Sequence, residues 1–280
     1  MNTWLNECVK HYGVDKINSL TEYPSILTYH KLGDKGSLLN ELYEENRFKK
    51  DDILEITEKI DGTNMRLILT NDDYLVATRS KIIHAKNDRI ITDPNVNVVV
   101  DSCDYLIKTF ANDTTSDCVL IVFGEAYGYN ICEGSNVYCS IDNITSRKFR
   151  VFDVRCIPCI EFEKLLEKDI QDISRWKSYS NEYWYDYNVL DAFCEQFQLE
   201  RTPVLTRINE KDLPTGFDAT YKWMKQFSNS QAVIGIPDDE VDYSPKFGKS
   251  EGVVIRNLDR SVVSKLRFED CERTIRKRNQ

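Results

Sequence analysis

The stretch from Ile53 to Leu69 constrains the chain most. Ile53-Leu54-Glu55-Ile56-Thr57 alternates apolar and polar positions and is rich in β-branched side chains, as a half-buried strand is. Met65-Arg66-Leu67-Ile68-Leu69 begins a second strand after Asp61-Gly62, a dipeptide that suits tight turns. The pattern predicts strand, turn and strand, with Lys59 exposed at the edge of a pocket. Taken alone, Lys-x-Asp-Gly also describes an ordinary surface lysine beside a turn. What Lys59 means therefore depends on the rest of the chain.

Further elements follow. Tyr74 to Thr78 predicts a strand leading into Arg79, and Phe149 to Val154 predicts another. Cys118 to Phe123 is a continuous apolar run that fits a buried central strand delivering Glu125 to its end. Asp93 as cap, Pro94 in the first turn, and Val96, Val99, Val100, Cys103, Leu106, Ile107 and Phe110 on one face predict a single helix. From 160 to 247 the chain reads as mostly helical. Phe162, Leu165, Leu166, Ile170 and Ile173 recur at helical spacing, as do Trp184, Tyr187, Leu190, Phe193, Cys194 and Phe197. The aromatic run from Tyr179 to Tyr187 either stacks bases or packs helices on a sheet. Pro237 to Pro245 reads as an exposed loop. The first fifty residues suggest a short helix and then irregular chain broken at Gly33 and Gly36, with no assignable chemistry.

Composition excludes several classes. With 41% hydrophobic and 30% charged residues over 280 positions, the chain can bury a substantial core and is an ordinary soluble protein. No apolar run is long enough to cross a bilayer, and Met1-Asn2-Thr3-Trp4 lacks the start of a secretion signal, so no membrane is expected as a partner. Nine irregularly spaced cysteines then imply reduced thiols in a cytoplasmic setting. Cys156-Ile157-Pro158-Cys159 lacks the second pair a zinc site needs, which favours buried structural cysteines. His30 and His84 read as polar surface or capping residues. The net charge of −9 is unusual for a nucleic-acid enzyme, but Arg256 to Arg278 holds eight cations against four acidic residues, a local +4.

A set of spaced motifs gives Lys59 a context. In order they are Lys59-Ile60-Asp61-Gly62-Thr63-Asn64, Thr78-Arg79-Ser80-Lys81, Phe123-Gly124-Glu125, Phe149 to Val154, Ser250 to Arg256, and Lys265-Leu266-Arg267. The set resembles the nucleotidyl transferase motifs of ATP-dependent polynucleotide ligases and capping enzymes. Asn64 and the glutamate before the lysine make it most similar to the RNA ligase 2 type of RNA ligase. The resemblance implies an α+β fold, an ATP-grasp-like adenylation domain of antiparallel sheets flanked by helices, spanning 1–280 as one domain. Residues 1–50 would be an N-terminal extension, 160–247 a mostly helical insertion and 268–280 a basic tail.

The chemistry that resemblance implies is stepwise. Lysine attacks the α-phosphorus of ATP only when deprotonated, and its free pKa is about 10.4. Lys265, Arg267 and a divalent metal near Lys59 would favour the neutral amine and neutralise charge on the phosphates. Asp61, Glu125 and Glu251 are the candidate ligands for magnesium or manganese, which take oxygen donors. Carried over from the family, Lys59 becomes a lysyl-adenylate, AMP passes to a 5′-phosphate RNA end, and a 3′-hydroxyl displaces it. Glu58 would lie beside the adenine, Phe152 would stack on it, and Glu125 would contact the ribose or the metal's waters. Asn64 and Arg79 would serve phosphate transfer and strand joining. Glu251 would organise the metal, and Lys265 would contact the α-phosphate.

Two departures qualify the resemblance. The last motif usually carries two lysines, and here the second is Arg267, a planar guanidinium in place of a point charge. Only thirteen residues follow it, so no C-terminal OB-fold is expected and no full helical C-terminal domain. That weakens the alternatives of a minimal DNA ligase or an mRNA-capping guanylyltransferase. A catalytically inactive nucleic-acid-binding module is the rival of another class; it would be marked by loss of Lys59 or Glu251, and both are present. RNA ends, from a nicked duplex or a broken stem-loop, are the expected partners. The sequence leaves the oligomeric state open, with a monomer as the simplest expectation and a viral origin compatible with the family.

Overall fold

The two strands on either side of Asp61-Gly62 belong to different sheets. The computed structural model describes residues 3–88, 93–113, 116–139, 146–236, 240–243 and 247–279. Along the chain, α1 (Trp4–Tyr12) and α2 (Val14–Thr21) precede three short strands, β1 (Leu27–Thr28), β2 (His30–Leu32) and β3 (Leu38–Leu42). Then come β4 (Ile53–Lys59), β5 (Thr63–Leu69), β6 (Tyr74–Thr78), β7 (Ile82–Ala85), α3 (Pro94–Ser102) and α4 (Asp104–Ala111). β8 (Cys118–Gly128) and β9 (Arg147–Pro158) lead to α5 (Cys159–Leu166), α6 (Ile170–Tyr179) and α7 (Tyr187–Gln196). The chain finishes with β10 (Val204–Asn209), α8 (Phe217–Met224), β11 (Gly252–Asn257), β12 (Val263–Arg267) and α9 (Phe268–Arg278).

These elements form two compact units, a mixed α+β architecture of antiparallel sheets with helices. Unit one takes Met1–Ser25, Gly62–Cys132 and Arg147–Arg201; unit two takes Ile26–Asp61, Glu133–Ser146 and Thr202–Gln280. The unit borders cut through the expected N-terminal extension and through the expected 160–247 insertion.

Unit one carries the sheet β7-β6-β5-β8-β9, antiparallel throughout. One face, with Met65, Leu67, Leu69, Leu120, Val122 and Val151, is covered by Val96, Val99, Leu106, Leu190 and Phe193 from the helices. Each such side chain buried is worth roughly 1.5–3 kcal/mol. Unit two carries β1-β12-β11-β4-β10, antiparallel except for the parallel pair of β1 with β12. Leu54, Ile56, Val253, Ile255 and Leu266 face Phe217, Met224 and Cys271 in its core.

Several expectations need correcting. Asp61-Gly62 does not close a hairpin. β4 pairs with β10 and β11, β5 pairs with β6 and β8, and the dipeptide is the passage between two sheets. Gly62 is needed there for a close approach, because a Cβ on it would sit 2.4 Å from the Ala126 carbonyl. The single helix from Asp93 is two, broken at Cys103. The break falls in Asp101-Ser102-Cys103-Asp104, where weak helix formers meet; Asp93 does cap the first helix. The stretch 160–247 includes the strand β10. Ile170, assigned to a helical core face, is 48% exposed.

His30 is fully buried, with Nε2 3.1 Å from Thr220 Oγ1, and is no surface residue. The aromatic run divides, Trp184 packing on Tyr23 and Phe123 while Tyr179 is 85% exposed. The expected loop at 237–245 lies largely outside the described residues. Among the described residues no helix is long and apolar enough to cross a membrane.

Candidate active site

In unit two the register of three strands assembles a cationic face. Lys59 ends β4 opposite Gly252 of β11, and Gly252 is opposite Arg267 of β12. Residues paired across antiparallel strands point to the same face, so Lys59 and Arg267 flank a position with no side chain. The next row on that face is Thr57, Val254 and Lys265. Only glycine fits at 252, since a Cβ would lie 2.0 Å from the Leu266 carbonyl oxygen.

Lys59 Nζ donates to Glu251 Oε2 at 2.5 Å, with both side chains partly exposed. Burial raises the Glu251 carboxyl above its usual range, Lys59 opposes that, and the Asp61 charge adds to it. Asp61 is held at the end of the same strand. Its N–H donates to the Tyr138 hydroxyl at 2.8 Å, and Gly134 lies so close that a Cβ there would meet the Asp61 carboxylate. Tyr138 is buried, and its phenol is raised well above its ordinary range, by burial first and then by Glu58.

Glu58 points to the opposite face of the strand, next to Val253 and Leu266 in the core, and is 2% exposed. Its carboxylate accepts from Ser230 Oγ at 2.5 Å and from the Gln231 N–H at 2.8 Å. Arg267 turns its fork to Asp270, Nε and Nη2 each donating at 2.8 Å, and this pairing raises its pKa. Among the described residues no group of three or more His, Cys, Asp or Glu is arranged as a metal cage. Asp61 and Glu251, electrostatically coupled carboxylates beside Lys59, form the donor set of unit two. That set suits a hard cation held by one or two carboxylates together with waters and substrate phosphates. The third expected ligand, Glu125, stands on β8 of unit one.

Unit one presents the remaining expected residues. Asn64 is opposite Glu125, so the two share a face, and the buried Asn64 Oδ1 has no hydrogen-bond partner among the described residues. Phe152 is the extra residue of a β-bulge, because Phe123 pairs with Asp153 while Gly124 pairs with Val151. The bulge sets its ring 5.0 Å from that of Tyr23, whose hydroxyl donates to Asp153 at 2.9 Å. Arg79 is exposed just beyond β6 and donates to Ser25 Oγ at 2.9 Å.

Sequence reasoning missed the supports. Arg66 is fully buried, and burial lowers it to about 10. Its fork donates to Thr21 Oγ1, to the Thr78 and Arg79 carbonyls, and to Asn18, tying α2 to the backbone that carries Arg79. A basic residue at a core position of β5 was the available signal. Asp270 was legible as the i+3 partner of Arg267, whereas Ser230 and Tyr138, distant in sequence, gave none.

Comparison with families matches residues 52–277 to the family described as RNA ligase. Among solved structures, an apo point mutant of an RNA ligase from Naegleria gruberi is similar at TM-score 0.55 and 14% identity, covering 93% of this chain and 59% of that one. The same ligase with PPi matches at 0.55 and 16%, with the same coverage. A mutant with ATP and Mn matches at 0.53 and 16%, covering 91% and 62%. At this identity the likeness is one of fold, and the chain spans about three fifths of those proteins. Comparison with curated proteins finds no match.

Proposed function

Because the chain belongs to the RNA ligase family, we propose that it is an ATP-dependent RNA ligase that joins 5′-phosphate and 3′-hydroxyl RNA ends through a lysyl-AMP on Lys59. The observation that carries this reading is the Lys59 amine 2.5 Å from Glu251, on one sheet face with Lys265 and Arg267. A cationic face suits a triphosphate, and a partly exposed amine next to a carboxylate suits a nucleophile that must lose a proton.

The Lys59 amine attacks the α-phosphorus of ATP. A phosphorus–nitrogen bond forms, the bond to the bridging oxygen breaks, and pyrophosphate leaves. Glu251 orients the amine and takes up its proton, which its raised carboxyl favours. Lys265 and Arg267 meet charge on the phosphates. Asp61 and Glu251 would hold magnesium or manganese, which supplies further neutralisation of phosphate charge.

For unit one we assign adenine stacking to Phe152, contact with the ribose or the metal's waters to Glu125, and phosphate transfer and strand joining to Asn64 and Arg79. The unpartnered Asn64 Oδ1 and the exposed Arg79 support that assignment. Glu58 is carried over as the neighbour of the adenine. With its oxygens already engaged by Ser230 and Gln231, it also fixes the strand end that carries Lys59.

The test is incubation with α-labelled ATP or GTP and a divalent cation, followed by denaturing electrophoresis, for wild type and Lys59→Ala. Label from ATP that disappears in the variant supports the reading, and RNA and DNA nicks then separate the substrates. Label from GTP alone favours a guanylyltransferase. No label from either, in folded protein free of bound AMP, favours a binding module without activity.

A further inference from the structure

We propose that Cys118 and Cys156 are an oxidative modification site, forming a reversible disulfide with a small disulfide such as glutathione disulfide as co-reactant. All nine cysteines carry free thiols, but this pair is set apart by geometry. Cys118 opens β8 opposite Pro158, and Cys156 on β9 is opposite Leu120, so the two side chains share a face as diagonal neighbours. The Cys156 thiol donates to Cys118 Sγ across only 3.0 Å. A disulfide requires about 2.0 Å, so the sulfurs need to close by only about 1 Å from their present separation.

The surroundings favour exchange. Cys118 is the first residue of β8, and both cysteines are partly exposed, Cys156 lying where residues 183–185 pair with β9, its N–H donating to the Tyr183 carbonyl at 2.9 Å. The hydrogen bond from Cys156 draws the Cys118 thiol down, burial opposes this, and Ser116 Oγ at 3.4 Å assists. Cys156, as the donor, is pushed up. Cys118 is therefore the attacking thiolate and Cys156 the resolving thiol. The only Cys-x-x-Cys of the chain is not the reactive pair. Cys156 lies on β9 and Cys159 opens α5 three residues later, about 10 Å away along extended chain, beyond the reach of a disulfide. Burial also pushes Cys159 up to about 12.

The exchange balances. Cys118 thiolate attacks one sulfur of glutathione disulfide, whose bond breaks to release a glutathione thiolate that takes the proton Cys118 lost. Cys156, giving up its own proton, attacks the Cys118 sulfur of the mixed disulfide and expels the second glutathione. Two protein thiols are oxidised and one disulfide is reduced to two thiols.

The full chain is treated with glutathione disulfide, alkylated under denaturing conditions, and digested without reductant for peptide mass mapping. The expected result is that alkylatable thiols fall from nine to seven, with the Cys118 and Cys156 peptides joined and separated again by dithiothreitol. Cys159→Ser should behave as wild type. Cys156→Ser should stop at a glutathione adduct on Cys118. A wild-type crosslink involving Cys159, or nine thiols still alkylatable after treatment, would overturn the proposal. The wild-type map decides the matter even where a serine variant folds poorly.

Discussion

Gly252→Ala is the sharpest test of the cationic face in unit two. The new Cβ would stand 2.0 Å from the Leu266 carbonyl oxygen and 2.9 Å from Arg267 Cα. An ordinary carbon–oxygen contact needs over 3 Å, so β11 and β12 must part by about 1 Å at the row shared with Lys59. Overpacking costs roughly 1–3 kcal/mol, and weakening two ladder hydrogen bonds costs about 1 kcal/mol each. Removing a glycine from a strand returns about 0.5–1 kcal/mol.

The expected net loss is about 3 kcal/mol, read as a thermal midpoint lower by roughly 6–10 °C. Protein that remains folded has Arg267 displaced from Lys59, and an error of 1 Å in a reacting array can lower a rate about 10²-fold. The labelling rate with ATP should fall by that order. Gly216→Ala is the control in the same unit, since its Cβ would have nothing nearer than Asn40 Oδ1 at 3.6 Å; it should move stability by no more than about 1 kcal/mol. If Gly252→Ala melts and labels as wild type, the absent side chain at 252 is not what keeps Lys59 and Arg267 in register.

Glu251→Gln keeps the shape and removes the charge beside Lys59, so labelling should slow by about 10²-fold or more with little change in melting. Because burial raises the Glu251 carboxyl, the acidic limb of the labelling rate should lie above the usual carboxylate range and vanish in the glutamine variant. An unchanged limb would assign it to another group. His30 is lowered, by burial first, so below about pH 6.5 the unfolded chain binds a proton that the folded chain refuses. Stability should fall as pH drops through that value, by up to about 1.4 kcal/mol per pH unit, and His30→Gln should flatten the dependence in urea titrations at several pH values. Arg66→Lys retains the charge but loses the fork that Thr21, Asn18 and Thr78 share. It should cost about 3 kcal/mol, and an unchanged unfolding midpoint would mean that water replaces those donors.

Strand identity was legible where burial writes its own pattern. The segment Ile53 to Thr57, the apolar run of Cys118 to Phe123 and the cap at Asp93 all fall in the elements they suggest. But β4 is not the half-buried strand its alternation predicts, since Glu55 and Thr57 are buried and Ile53 is 45% exposed. Sheet membership was not legible. Nothing local in Asp61-Gly62 distinguishes a hairpin turn from a passage between sheets, because the choice is made by distant partners such as Gly252 and Ala126. The same limit applies to the site. Lys59 and Asp61 stand out in one short motif, but the buried state of Glu58 depends on Ser230 and Gln231, some 170 residues on. The bulge that turns Phe152 arises from a register shift between strands, which periodicity within either strand does not carry.

Charge gives the clearest case of composition read too directly. The cations from Arg256 to Arg278 suggest a basic tail available to a polyanion, yet most of α9's charges already have partners within unit two. Arg273 donates to Glu269 and the Gly36 carbonyl, Lys277 to the Asp34 and Lys35 carbonyls, and Arg278 to Asp218. Arg276 is exposed, with no ion pair among the described residues. A helix whose cations cap carbonyls and pair with carboxylates fastens itself to the turn between β2 and β3 and to α8 and leaves little positive field for phosphates. What an acidic protein needs for a triphosphate is local, a few cations held at fixed spacing. The row of Lys59, Gly252 and Arg267, with Lys265 beside it, provides that by strand register and not by net charge.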